Sequence, residues 1–317
     1  MDGQATTRAS AGSPPCAELH VHLEGTLEPE AVLQMATRNG LPAPAASVQD
    51  LRDRYRFTDL QSFLDIYYDN MSVLRTEADF YDMATSYIQR ASMANVRHAE
   101  MFFDPQAHIV RGVPVDAMMQ GLSAALEDGR RTHGITTGLI MCFLRHLGAE
   151  AADDAYTALR PYRSHLLGVG LDSTELGYPP ELFREVFSRA GADGLRLVAH
   201  AGEEDGPQAI RSALDDLKVE RVDHGIRALD DPDLIRRLRD EQTPLTVCPL
   251  SNVALRVTDT MAQHPLPDLL RAGVAVTVNS DDPSYFGGYI DDNFAAVVEH
   301  CGLSPEDISE LAANSFR

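Results

Sequence analysis

The chain has 317 residues, of which 44% are hydrophobic and 24% charged, with a formal net charge of -21. Those values fit a globular protein with a large core, and the length suits two domains or one α/β barrel. The acidic surface repels phosphates and anionic lipid, which argues against nucleic acid and membranes as partners, and no stretch reaches the ~20 apolar residues of a membrane span.

Residues 1–15 are small and polar and lack the apolar core of a signal peptide, so a disordered leader is expected there, ahead of one domain over 16–317. Eight apolar runs then follow: Ala17–His22, Val96–Phe103, Thr136–Phe143, Leu166–Leu171, Leu195–His200, Arg221–Asp223, Leu245–Val247 and Ala275–Asn279. They are continuous rather than alternating, as strands covered on both faces are. Helix-like segments separate them. Pro179-Pro180-Glu181 and Asp230-Asp231-Pro232 read as helix starts, with acidic residues and proline in the first turn. Strand alternating with helix predicts a (β/α)₈ barrel. The connection from Leu27 to Asn95 is long and holds helix-like pieces, among them Leu60–Leu74 with Phe63, Leu64 and Tyr67 at helical spacing. An insertion after the first strand of a barrel falls on the catalytic face and can form a lid; those aromatics are equally the ordinary contacts of a core. The four cysteines, Cys16, Cys142, Cys248 and Cys301, are far apart with no Cys-x-x-Cys. Free thiols are expected, which points to a reducing compartment and so to the cytoplasm.

Chemistry-bearing residues collect where the apolar runs end. His20-Val21-His22 places two imidazoles on one side of a strand, since alternate residues share a face. His200-Ala201-Gly202-Glu203 adds a third imidazole and a carboxylate, Asp223-His224-Gly225 a fourth imidazole, and Ser280-Asp281-Asp282-Pro283 two adjacent carboxylates. Each segment alone has a plain reading: a chance histidine pair, a helix-capping Glu203, a turn at Asp281-Asp282. Together at strand ends they converge on one barrel face. Three histidines and an aspartate suit a divalent transition metal, most simply Zn²⁺. Such a metal lowers the pKa of water from 15.7 to ~7, and a nearby general base (His224) and general acid (Glu203) complete a hydrolytic set.

These motifs identify a resemblance. From Glu18-Leu19-His20-Val21-His22-Leu23-Glu24-Gly25-Thr26 to the Asp-Asp-Pro motif, the chain resembles the adenosine/adenine deaminase family of the amidohydrolase superfamily over nearly its whole length. The resemblance implies a zinc-bearing barrel that replaces the 6-amino group of a purine by oxygen. It implies His20, His22, His200 and Asp281 as zinc ligands, one ion per chain. It also implies Glu203 as proton donor to purine N1, His224 as the residue that orients and deprotonates water, and Asp282 as the partner of N7. Members usually continue with further helix beyond a Leu311–Phe316-like segment, so a shortened C-terminus is expected.

Substrate choice rests on two departures from the adenosine-specific pattern. Glu24 stands where that pattern has an aspartate meeting ribose, and Glu175 where it has a glycine whose N–H meets N3. Glu175 is expected to accept a hydrogen bond from the N9–H or N3–H of a free base and to fill ribose space. Phe103–His108, Cys248–Asn252 and Tyr285–Tyr289 look like the adenine aminohydrolase branch. The expected substrate is therefore adenine. The alternatives are another 6-aminopurine (adenosine, an N6-substituted adenine or aminofutalosine) and, in a different class, a non-catalytic purine-binding protein.

Overall fold

The structure is a computed structural model that describes residues 14–317. Most of the expected leader, residues 1–13, lies outside the described residues.

Eight parallel strands form one sheet in the order of the chain. They are β1 Cys16–His22, β2 Val96–Phe103, β3 Thr136–Leu144, β4 Leu166–Asp172, β5 Arg196–Ala201, β6 Arg221–His224, β7 Leu245–Val247 and β8 Val276–Val278. The sheet curls until its edges meet. An isolated parallel bridge joins Val21 to Asp281, His22 N–H donates to Asp281 O at 2.9 Å, and Asp281 N–H donates to His20 O at 3.1 Å. The architecture is the expected (β/α)₈ barrel. Helices pack outside it, so the strands are covered on both faces and their apolar runs need no alternation. Phe102, Ile140, Cys142 and Val198 fill the barrel interior as a separate cluster.

The insertion between β1 and β2 carries four helices: α1 Pro29–Arg38, α2 Val48–Arg52, α3 Leu60–Met71 and α4 Glu77–Met93. Asp59 starts α3 with a capping box, accepting the Ser62 N–H at 2.8 Å while the Ser62 hydroxyl oxygen accepts the Asp59 N–H at 3.3 Å. The apolar face of α3, with Phe63, Leu64 and Tyr67, is buried, and the same residues line the cavity at the C-terminal mouth of the barrel. Both readings of these side chains hold at once: they are core contacts and they roof the cavity. The helix expected after Pro180 begins as a 3-10 turn, Pro180–Phe183, and becomes α-helical at Arg184–Ala192. The one expected after Asp231 runs Pro232–Glu241, and Asp231 accepts from Asp233 N–H and Leu234 N–H at 3.0 Å each.

Candidate active site

Each expected cluster lies where its strand gives way to a loop, and the backbone there is forced. His224 (φ 63°), Asp281 (φ 64°) and Ser173 (φ 71°) all occupy the left-handed region. That conformation costs a non-glycine residue about 1–3 kcal/mol, and such strain gathers at functional sites. It turns the side chains of His224 and Asp281 away from the strand alternation.

The four histidines and Asp281 meet. One ligand atom from each of His20, His200, His224 and Asp281 lies within 4.8 Å of the others. His22 Nε2 is 3.1 Å from His200 Nε2 and 3.5 Å from Asp281 Oδ1. Burial lowers His22, and burial together with the neighbouring imidazoles lowers His200 well below the ordinary histidine range, so both are neutral near pH 7. Burial works against the charge of Asp281, yet His20, His224 and His22 hold it well below the usual carboxylate range.

Hydrogen bonding orients the ring of His20. The Thr246 hydroxyl donates to Asp223 Oδ1 at 2.8 Å, so toward His20 Nδ1, at 2.9 Å, it can only accept. Nδ1 therefore donates there, and Nε2 is the ring atom turned to Asp281 Oδ1, at 3.1 Å. Imidazole nitrogens and a carboxylate oxygen gathered about one buried point are the donor set of a divalent metal ion. The orienting shell of Thr246 and Asp223 is what a metal-binding imidazole requires.

Around the ligands lie the acid and base candidates. His224 Nε2 is 3.5 Å from Glu203 Oε2 and 3.9 Å from Asp281 Oδ2. Burial, with the repulsion of His20, brings His224 down to about 3, so it is a neutral imidazole able to take a proton. Burial first, then the charges of Asp281, Glu175 and Glu204, raise Glu203 well above the ordinary carboxylate range. Asp282 is raised for the same reasons, burial and then the Asp281 charge. Glu203 Oε1 and Asp282 Oδ1 are buried without a partner, and both residues line the cavity. Gly25 is required beside them: a Cβ there would collide with the Asp282 carboxylate.

Glu24 and Glu175, expected to choose the substrate, are not among the residues that line the cavity. Glu24 Oε1 accepts from Asp104 N–H at 3.1 Å and from His108 Nε2 at 2.8 Å, behind the wall. Glu175 accepts three backbone N–H groups, Gly202 and Glu203 at 3.0 Å and Asp205 at 3.2 Å. Alignment alone placed Glu175 on the base; the turn after β5 offers it a row of amides, and a buried carboxylate binds donors wherever they are closest. It braces the loop that carries Glu203.

Several residues of the site were not singled out in the sequence. Glu18, fully buried in β1, accepts from Tyr87 OH at 2.8 Å and Ser280 N–H at 3.0 Å, and also bonds the Ser280 hydroxyl, so it fixes the residue before Asp281. Arg145 is fully buried and donates to the carbonyls of Asp172 and His200 at the ends of β4 and β5, at 3.1 Å and 2.5 Å. Asp172 Oδ2 lies 3.6 Å from His22 Nδ1, and Asp104 shares the cavity wall with it. The signal for Asp104 and Asp172 was present: both end apolar strand runs, as the recognised clusters do.

Comparison with known proteins agrees with this geometry. The family model described as adenosine deaminase matches residues 15–317. A protein of Streptomyces coelicolor named adenine deaminase is 57% identical over 302 residues, covering 95% of this chain and 89% of that one. One of Ectopseudomonas mendocina with the same name is 54% identical, covering 95% and 96%. The crystal structure of an adenine deaminase from Arthrobacter aurescens superposes with a TM-score of 0.94 at 51% identity, covering 96% of this chain and 93% of that one. An amidohydrolase from Burkholderia ambifaria, solved with bound Zn, superposes with a TM-score of 0.89 at 27% identity, covering 99% and 88%. The chain belongs to the adenosine deaminase family.

Proposed function

We propose that the protein hydrolyses adenine to hypoxanthine and ammonia, with one Zn²⁺ held by His20, His22, His200 and Asp281. The observation that carries the reading is the meeting of His20, His22, His200, His224 and Asp281 in one buried cluster, together with more than half identity, over 95% of the chain, to proteins named adenine deaminase. A divalent cation in such a site makes hydroxide available at neutral pH. The chain's own groups do the rest. His224, neutral and buried, orients the attacking water and takes its proton. Glu203, kept protonated by burial and three acidic neighbours, donates to N1 as C6 becomes tetrahedral. Asp282, raised in the same way, offers a proton to N7. The buried, apolar roof of Leu60, Phe63, Leu64 and Phe286 excludes bulk water and strengthens these contacts.

No helix among the described residues is long and apolar enough to cross a membrane. Cys16, Cys142, Cys248 and Cys301 are all free, which supports a reducing compartment such as the cytoplasm.

Steady-state rates with adenine, adenosine and N6-isopentenyladenine, run side by side, test the reading. Adenine is expected to have the highest kcat/KM. Faster turnover of adenosine would overturn the choice of substrate.

A further inference from the structure

Resting on the adenine reading, a purine with C6 at the metal ligands, N1 toward Glu203 and N7 toward Asp282 turns its remaining N3–N9 edge to the rest of the cavity. The polar groups of that wall are Tyr67, Tyr68, Asp104, Asp172 and Ser173. Asp172 is held beside His22 and Ser173 bonds His146 and Tyr68. Asp172 Oδ1, like Asp104 Oδ1, is buried without a donor, but the Asp172 carboxyl already lies beside the candidate metal ligand His22. The Asp104 backbone N–H is fixed by Glu24 at 3.1 Å, its Oδ2 accepts from Tyr67 OH at 3.3 Å, and Pro105 follows it at the start of a short helix. Its other oxygen, Oδ1, is buried and has no partner, on a residue only 1% exposed. A carboxyl group fixed from two sides with one unsatisfied oxygen in a substrate cavity is an acceptor prepared for a donor on the ligand.

Free adenine carries such a donor on that edge. Its imidazole ring holds a proton at N9, next to the acceptor N3. In a nucleoside the same position is a carbon substituent, which gives no hydrogen bond and sets a bulky group against a buried carboxyl.

We propose that Asp104 is the residue that reads the free base: its Oδ1 accepts the N9–H of adenine, and the same contact excludes purines substituted at N9. The role expected of Glu175 thereby passes to a residue on the cavity wall.

The test compares kcat/KM for adenine and 9-methyladenine in the metal-loaded wild-type enzyme, Asp104→Ala and Asp104→Asn, with metal content measured on each. The expected loss on adenine is about 100-fold for Asp104→Ala and about 10-fold for Asp104→Asn, which retains a carbonyl acceptor. Turnover of 9-methyladenine changes little, so the preference for adenine collapses at least 10-fold while metal content holds. Equal losses on both substrates with metal retained would overturn the proposal. Wild-type inhibition by hypoxanthine and 9-methylhypoxanthine gives the same answer without a variant: the methylated base binds at least 10-fold more weakly, and equal binding overturns it. Failure of the wild-type enzyme to deaminate adenine at all sinks the functional reading; adenine turnover with an unmoved preference sinks only the role of Asp104.

Discussion

Glu203 shows how a single carboxyl is made an acid at neutral pH. It is buried, Glu175 accepts its backbone N–H at 3.0 Å, and the negative charges nearest it are Asp281, Glu175 and Glu204. Burial and those three charges favour the protonated form and outweigh the opposing charge of Arg145. As the acid of the reaction, Glu203 acts while protonated and loses that form as pH rises through its raised value. The expected result is a kcat/KM for adenine that falls on the alkaline side. Glu203→Gln keeps the size and the burial but cannot give up a proton in the same way. It is expected to lower kcat by about 10²- to 10⁴-fold, to leave metal content unchanged, and to remove the alkaline limb. A pH profile recorded on both proteins checks this; retained turnover, or the same limb in the variant, would take the role of acid from Glu203.

The roof of the cavity belongs to an element, α3, rather than to one side chain. Asn70 in α3 donates to Tyr285 OH at 3.1 Å and to Tyr55 OH at 3.0 Å, and so ties α3 to the short helix Pro283–Phe286 that follows Asp282. Tyr285 stacks on Tyr55 at 4.6 Å and meets Phe63 edge-on at 5.4 Å. Asn70→Ala removes both bonds, at a cost of about 2 kcal/mol. Because no reacting group is touched, KM for adenine is expected to rise several-fold with kcat nearly unchanged, and a fall in kcat alone would separate α3 from binding. The same scale explains what was legible in advance. Strands buried on both faces announce themselves as continuous apolar runs, so no end of the eight strands shifts by more than one residue. The candidate metal ligands were legible because histidine pairs and adjacent carboxylates are rare at strand ends. The partners of Glu24 and Glu175 were not. Whether a carboxylate faces a cavity or a row of amides depends on loop geometry, and Glu175 meets amides that belong to residues 202–205. The left-handed backbone at His224 and Asp281 leaves no mark in composition either.

At the scale of the molecule, the barrel closes at its active site. Along the seam between β1 and β8 the backbone contacts are those of Asp281 with His20, Val21 and His22, residues that also carry candidate metal ligands. The opposite end of the same seam is held by the C-terminal helix Pro305–Asn314 and the residue after it: Asn314 donates to Val276 O at 3.1 Å, and the Ser315 hydroxyl accepts from Ala17 N–H at 2.8 Å. A cation shared by His20, His22 and Asp281 therefore bridges the first strand to the last and belongs to the stability of the fold as much as to its chemistry. Binding at about 1,000 times Kd stabilises the folded state by ~4 kcal/mol, which for a chain of this size corresponds to a Tm change of roughly 5–10 °C. Removing the metal with a chelator is expected to lower Tm by that amount and to restore it when Zn²⁺ is returned. His20→Ala breaks the bridge on the β1 side, so its Tm should respond little to the same chelator. Asn314→Ala acts at the other end and should lower Tm equally with and without metal. A chelator shift as large in His20→Ala as in the wild type, or none in the wild type, would mean that the seam closes through the hydrogen bonds of the chain alone and that the metal serves only the reaction.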